Sequence, residues 1–108
     1  LLVSLHQKYD LPPIYITENG AAMADKMVDG EVNDQDRIAY YNAHLNAVND
    51  AILQGVNVAG YFAWSLMDNF EWAEGYSKRF GIVHVDYNTQ IRTVKLSGKA
   101  YSQLITRR

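Results

Sequence analysis

The chain has 108 residues, 48% of them hydrophobic, with 8 Tyr, 3 Phe, 2 Trp, no Cys and a net charge of −2. That length holds one ordinary globular unit at most. The charge balance excludes a nucleic-acid surface, which needs clustered Lys and Arg rather than isolated pairs such as Lys78-Arg79 and Arg107-Arg108. No stretch reaches the roughly 18 apolar residues of a membrane span, and without cysteine there is no disulfide or thiol chemistry. The composition fits a reducing, cytoplasmic setting with no membrane or nucleic-acid partner.

Leu1, Leu2, Leu5 and Tyr9 recur at near-helical spacing and predict the last turns of a helix. Because the chain starts at Leu1, without Met, the expectation is that this helix and the true N-terminus, with any targeting segment, begin upstream. Pro12-Pro13 cannot continue a helix. Ile14-Tyr15-Ile16-Thr17 follows as a short apolar strand that stops on Glu18, with Asn19-Gly20 as a turn signal. Taken alone, Glu18 reads equally well as a solvated carboxylate at a strand end or as a functional one.

A polar stretch with a turn at Asp29-Gly30 leads to the strongest predicted helix. Asn33 or Asp34 is its N-cap, and Asp34 and Asp36 lie at the positive end of its dipole. Ile38, Tyr41, Leu45, Val48 and Ile52 fall on one face, and Gly55 serves as the C-cap. His44 lies off that stripe and reads as a surface residue. Residues 56–63 form an almost unbroken apolar run, which predicts a strand buried on both faces of a parallel sheet. Strand, helix and strand make a βαβ unit with a right-handed crossover. Beyond Gly75 the pattern predicts a β-hairpin with arms at 80–87 and 91–94 and a turn at Asn88-Thr89-Gln90, in which His84 is structural. Ser97 would cap a last helix containing Tyr101, Leu104 and Ile105.

Most familiar chemistries are missing from this pattern. His6, His44 and His84 are scattered, and Asp68, Glu71 and Glu74 have no accompanying ligand pattern, so neither a metal nor another cofactor is expected. No Gly-rich turn opens a helix to cradle phosphate, and no Gly-x-Ser-x-Gly elbow presents Ser65 as a nucleophile. What remains is Glu18 at one strand end and Trp64, Glu71 and Trp72 just past the next. The C-terminal ends of parallel strands are where barrels and open α/β sheets keep their sites. Sugars offer flat C–H faces that stack on indoles and hydroxyls that seek carboxylate acceptors, whose charge-assisted hydrogen bonds are about twice as strong as neutral ones. The competing reading makes Trp64 and Trp72 core residues and Glu71 a solvated one.

Ile16-Thr17-Glu18-Asn19-Gly20 and Trp64-Ser65-Leu66-Met67-Asp68-Asn69-Phe70-Glu71-Trp72 resemble two C-terminal motifs of glycoside hydrolase family 1, the β-glucosidase family. Gly75-Tyr76-Ser77-Lys78-Arg79-Phe80-Gly81-Ile82-Val83 and Arg92-Thr93-Val94-Lys95 continue the match in order, so the resemblance covers essentially the whole chain. It implies an α/β fold: the C-terminal fragment of a (β/α)8 TIM barrel, with the last two strand-helix units, the tail of the preceding helix and an accessory β-hairpin. Residues 1–108 would then be the C-terminal part of a single barrel domain, whose missing N-terminal part is a partner the fragment needs.

The resemblance further implies a retaining β-glucosidase that removes non-reducing-end β-D-glucosyl residues through a covalent glycosyl-enzyme on Glu18. Trp64, Glu71, Trp72 and Phe80 match the residues that bind the non-reducing-end sugar. The implied substrates are β-glucosides or cello-oligosaccharides, unphosphorylated because Glu71 would repel a phosphate, with glucose ahead of galactose or fucose. The acid/base glutamate of the family sits in a Thr-x-Asn-Glu-Pro type motif that this chain does not contain, so the fragment is expected to be inactive alone. The alternative is a sugar-binding or regulatory relative that keeps the barrel without turnover.

Overall fold

The computed structural model describes residues 1–107; Arg108, the second half of the terminal basic pair, lies outside the described residues. Along the chain run α1 (Leu2–Lys8), β1 (Ile14–Asn19), α2 (Gln35–Leu53), β2 (Val58–Ala63), a single 3-10 turn (Trp72–Glu74), β3 (Val83–Val85), β4 (Arg92–Val94) and α3 (Leu96–Thr106). β1 and β2 pair in parallel with α2 as their connection, and β3 pairs with β4 antiparallel. The βαβ unit and the hairpin expected from the sequence are therefore both present.

The hairpin arms are shorter than the sequence predicts. The first loses its beginning because Phe80 and Ile82 bond to Ser65 instead: Ser65 N–H donates to the Phe80 carbonyl at 3.0 Å and Ile82 N–H to the Ser65 carbonyl at 2.9 Å. It loses its end because the Asp86 carboxylate accepts from the N–H groups of Asn88 (2.9 Å) and Thr89 (3.1 Å), which starts the turn early.

β2 also departs from expectation. Ala59 is exposed and Phe62 is 58% exposed, as is Tyr15 on β1 at 60%. One face of the two-stranded sheet packs on the helices and the other lies bare, because among the described residues no element covers it. An apolar run without alternation signals a strand made to be covered on both sides. Among the described residues only one cover is present.

The apolar stripe of α2 faces the sheet and α3, with Tyr41 and Ala51 buried, Ile38, Leu45 and Val48 half-buried, and Ile52 45% exposed. Gly55 follows the Gln54 cap at φ +98, a left-handed backbone that glycine adopts without steric cost. Asp34 stands at the N-cap but makes no cap bond within α2. Its carboxylate reaches across to α3, accepting from Ser97 N–H at 2.9 Å, and also accepts from Arg37 at 2.6 Å. Ser97 is thus not the cap of α3: Lys95 holds that position, and Asp34 satisfies an N-terminal N–H of α3 from another element.

Arg37 and Lys95 are both fully buried, so the centre of the molecule is ionic. Arg37 pairs with Asp25 (2.8 Å) and Asp34 (2.6 Å); Lys95 pairs with Asp25 (2.5 Å) and Asp68 (2.7 Å); Arg79 pairs with Asp68 (2.6 Å). Three carboxylates offset three cations, as burial of charge requires. The network joins the loop after β1, the start of α2, the loop after β2, the hairpin approach and the start of α3.

Candidate active site

β1 and β2 end side by side, and their register is uneven there. Ile16 faces Tyr61 and Asn19 faces Ala63, so three steps on β1 span two on β2. The extra residue is a bulge falling on Thr17 and Glu18, both of which are exposed in succession rather than in alternation. Bulges re-aim side chains beside functional sites, and this one turns Glu18 out of the sheet.

Past the bulge the strand ends are locked. Trp64 N–H donates to the Asn19 carbonyl at 2.7 Å. A Cβ built on Gly20 would lie 1.8 Å from the Trp64 carbonyl oxygen. Gly20 therefore serves close approach of two backbones, not the positive-φ turn that an Asn-Gly pair suggests. The Trp64–Ser65 peptide bond is cis. The Trp64 carbonyl accepts from the Tyr41 hydroxyl at 3.0 Å, and burial pushes the Tyr41 pKa up to about 12, so this hydroxyl stays a donor.

Glu18, Trp64, Glu71 and Phe80 line one open depression of about 280 Å³ with Asn19, Gly20 and Tyr40. Four of the five residues singled out in the sequence thus converge. The fifth, Trp72, does not line that depression. It stands beside Glu71, 85% exposed, at φ +45. That backbone costs roughly 1–3 kcal/mol for a non-glycine residue, and such strain concentrates at binding sites. The small loop is closed by Glu71 N–H on the Gly75 carbonyl (2.8 Å) and Gly75 N–H on the Trp72 carbonyl (3.0 Å), which holds the indole out to solvent.

Sequence reasoning missed the residues behind Glu18. The Asn19 side chain accepts from the Tyr61 hydroxyl at 2.6 Å, and its Nδ2 lies 3.2 Å from both the Tyr40 hydroxyl and His44 Nδ1. His44 is exposed, as the sequence predicts, and its ring also stacks on Tyr40 with centroids 3.9 Å apart. The signal was available: Tyr40 and His44 are four apart on α2, which puts them on a shared face distinct from the apolar stripe. Of the other acidic residues, Asp68 lies in the ionic centre, and Glu74 is exposed on the small loop.

The family model described as glycosyl hydrolase family 1 matches residues 1–108. A β-glucosidase of Agrobacterium sp. is 62% identical over 104 residues, which are 96% of this chain and 23% of that protein. β-Glucosidase A of Thermotoga maritima is 57% identical over 106 residues, 97% of this chain and 24% of the relative. The crystal structure of the psychrophilic β-glucosidase BglU from Micrococcus antarcticus superposes with a TM-score of 0.95 at 59% identity, covering 97% of this chain and 23% of that one. The chain therefore spans about a quarter of the length of the relatives it matches.

Proposed function

The chain belongs to glycosyl hydrolase family 1, with the fold of a slice of its (β/α)8 barrel, and on that premise we propose that it is the C-terminal, nucleophile-bearing part of a single-domain retaining β-glucosidase. The observation that carries this is the convergence of Glu18, Trp64, Glu71 and Phe80 on one depression at the C-terminal ends of two parallel strands. In this reading the Glu18 carboxylate attacks the anomeric carbon of a non-reducing-end β-D-glucosyl residue. The C–O bond to the aglycone breaks as the bond to Glu18 forms, and the leaving oxygen takes a proton from a carboxylic acid elsewhere in the barrel. Water, deprotonated by the same group, then displaces Glu18 and restores the β configuration.

The partner carboxyl belongs to the remaining three quarters of the protein. A retaining pair stands about 5–5.5 Å apart, and no Thr-x-Asn-Glu-Pro motif occurs in the 108 residues to supply it. Glu71 accepts sugar hydroxyls in this scheme, Trp64 and Phe80 form the wall behind the ring, and the exposed Trp72 indole closes over it. A carboxylate at position 71 favours unphosphorylated glucosides and cello-oligosaccharides, glucose ahead of galactose or fucose. A cysteine-free chain suits the cytoplasm, the compartment this reading assigns.

Replacing Glu18 by Ala in the full-length protein is the direct variant test. Turnover of an aryl β-glucoside should fall by several orders of magnitude with the thermal midpoint little changed. Added azide should restore consumption of an activated substrate as the α-glucosyl azide, since one inverting displacement replaces two. Turnover surviving in E18A would contradict the proposal.

A further inference from the structure

Asn19 directly follows the bulge that turns Glu18 out of the sheet, and every polar atom of its side chain is held. Oδ1 accepts from the Tyr61 hydroxyl of β2 at 2.6 Å. Nδ2 donates to the Tyr40 hydroxyl and, in the tautomer with a free Nδ1, to His44, both on α2 at 3.2 Å. The main-chain carbonyl accepts from Trp64 N–H at 2.7 Å. One residue is thereby fastened to the neighbouring strand, to the crossover helix and to the first residue of the loop that carries the rest of the site.

A bulge is free to slip unless something beyond it restores the register. Here Asn19 opposite Ala63 is the first paired position after Glu18. Burial raises the Tyr61 phenol above its ordinary range, so it stays a donor to the amide. Neither Asn19 nor its three side-chain partners would need to touch the reacting atoms; their effect would pass through the backbone on either side of Glu18 and through the spacing between Glu18 and Trp64.

We infer that Asn19, clamped by Tyr61, Tyr40 and His44, is the positioning residue that fixes the Glu18 carboxylate in its attacking orientation. The inference rests on the reading of Glu18 as nucleophile. Its test is the kinetics of labelling by an activated 2-deoxy-2-fluoro-β-glucoside in the full-length protein, comparing wild type with Asn19→Ala, Tyr61→Phe and the double variant.

A misplacement of about 1 Å can cost on the order of a hundredfold in rate. Asn19→Ala should therefore slow labelling at saturating reagent by at least about tenfold, while the reagent concentration for half-saturation moves by less than about threefold. Tyr61→Phe, which keeps the ring and loses the donor, should act in the same direction. The double variant should be no slower than Asn19→Ala within about twofold, because both remove one clamp. Wild-type labelling rates in a folded Asn19→Ala, or in Tyr61→Phe should Asn19→Ala not fold, overturn the inference. So does a loss seen only in half-saturation. If wild type labels at a residue other than Glu18, the nucleophile reading fails first and the inference with it. If wild type labels at Glu18 and the variants are unaffected, only the inference fails.

Discussion

Between Trp64 and Phe80 the chain supplies every proposed sugar-contacting residue except Glu18, and within that stretch the Asp68 side chain is wholly withdrawn from solvent. Its carboxylate accepts from Arg79 (2.6 Å), Lys95 (2.7 Å), Gly81 N–H (3.0 Å) and Val85 N–H (3.3 Å). Burial alone would push its pKa up; the hydrogen bonds and charges of Lys95 and Arg79 outweigh that and hold it below the ordinary aspartate value. A depressed folded pKa means stability that is present above the unfolded value and lost as pH falls through the folded one. His84 adds to the same trend. Burial first and the Arg79 charge second keep it neutral below its usual 6.5, so its contribution is lost as pH falls from there. Asp68→Ala, which takes from Arg79 its carboxylate partner and leaves Lys95 with Asp25 alone, should cost the full-length protein about 3–5 kcal/mol at neutral pH. The urea midpoint should show that loss, and it should also show wild type weakening on acidification. An unchanged midpoint in the variant would mean that the network is not what anchors the loop. The structural role of His84 was legible in the sequence, but the ionic network was not. Asp25, Asp34, Arg37, Asp68, Arg79 and Lys95 are spread over 70 residues of separation, and each taken singly resembles a surface charge or a helix cap.

At the scale of elements the outcome depended on whether the cause was local. α2 was legible because a helical period of apolar residues and a glycine stop are written in consecutive positions, and the parallel pairing followed from strand, helix and strand in order. The role of Gly20 was not, since what forbids a side chain there is the Trp64 carbonyl just past the end of the other strand, 44 positions on. Likewise Asp34 sits where an N-cap belongs, but its oxygens are taken by Ser97 of α3 and by the Arg37 side chain of α2. Gly20→Ala must force the ends of β1 and β2 apart, because the obstacle is backbone and cannot swing aside. The expected cost is about 1–3 kcal/mol or more, together with weaker binding of a glucose-like inhibitor as Glu18 and Trp64 separate. Calorimetric titration and thermal melting of the full-length variant check both. Normal melting with normal affinity would show that the two strand ends have slack.

For the molecule as a whole, shape makes the point. The described residues extend 49 × 33 × 18 Å with a radius of gyration of 15.8 Å, against about 13 Å for a compact chain of this length. It is a slab, with Tyr15 and Phe62 bare on one face of its sheet and a small apolar core consisting of Val32, Tyr41, Ala51, Val56 and Val85. Exposed apolar area and open sheet edges favour association. The 108-residue chain produced alone should therefore sediment as oligomers or melt without cooperativity, and should not hydrolyse glucosides. A monomer with a sharp melting transition would refute that expectation. The barrel origin was legible from motif order, whereas the bare face was not, because an apolar run states what a strand needs rather than what is present to cover it.

The proposed role of Glu18 is to form the covalent glycosyl-enzyme. Its most direct test is the mass of the full-length protein after incubation with an activated 2-deoxy-2-fluoro-β-glucoside, followed by peptide mapping. One added fluoroglucosyl group is expected, on the peptide that contains Glu18. A folded protein that stays unlabelled, or carries the label on another carboxylate, would contradict it.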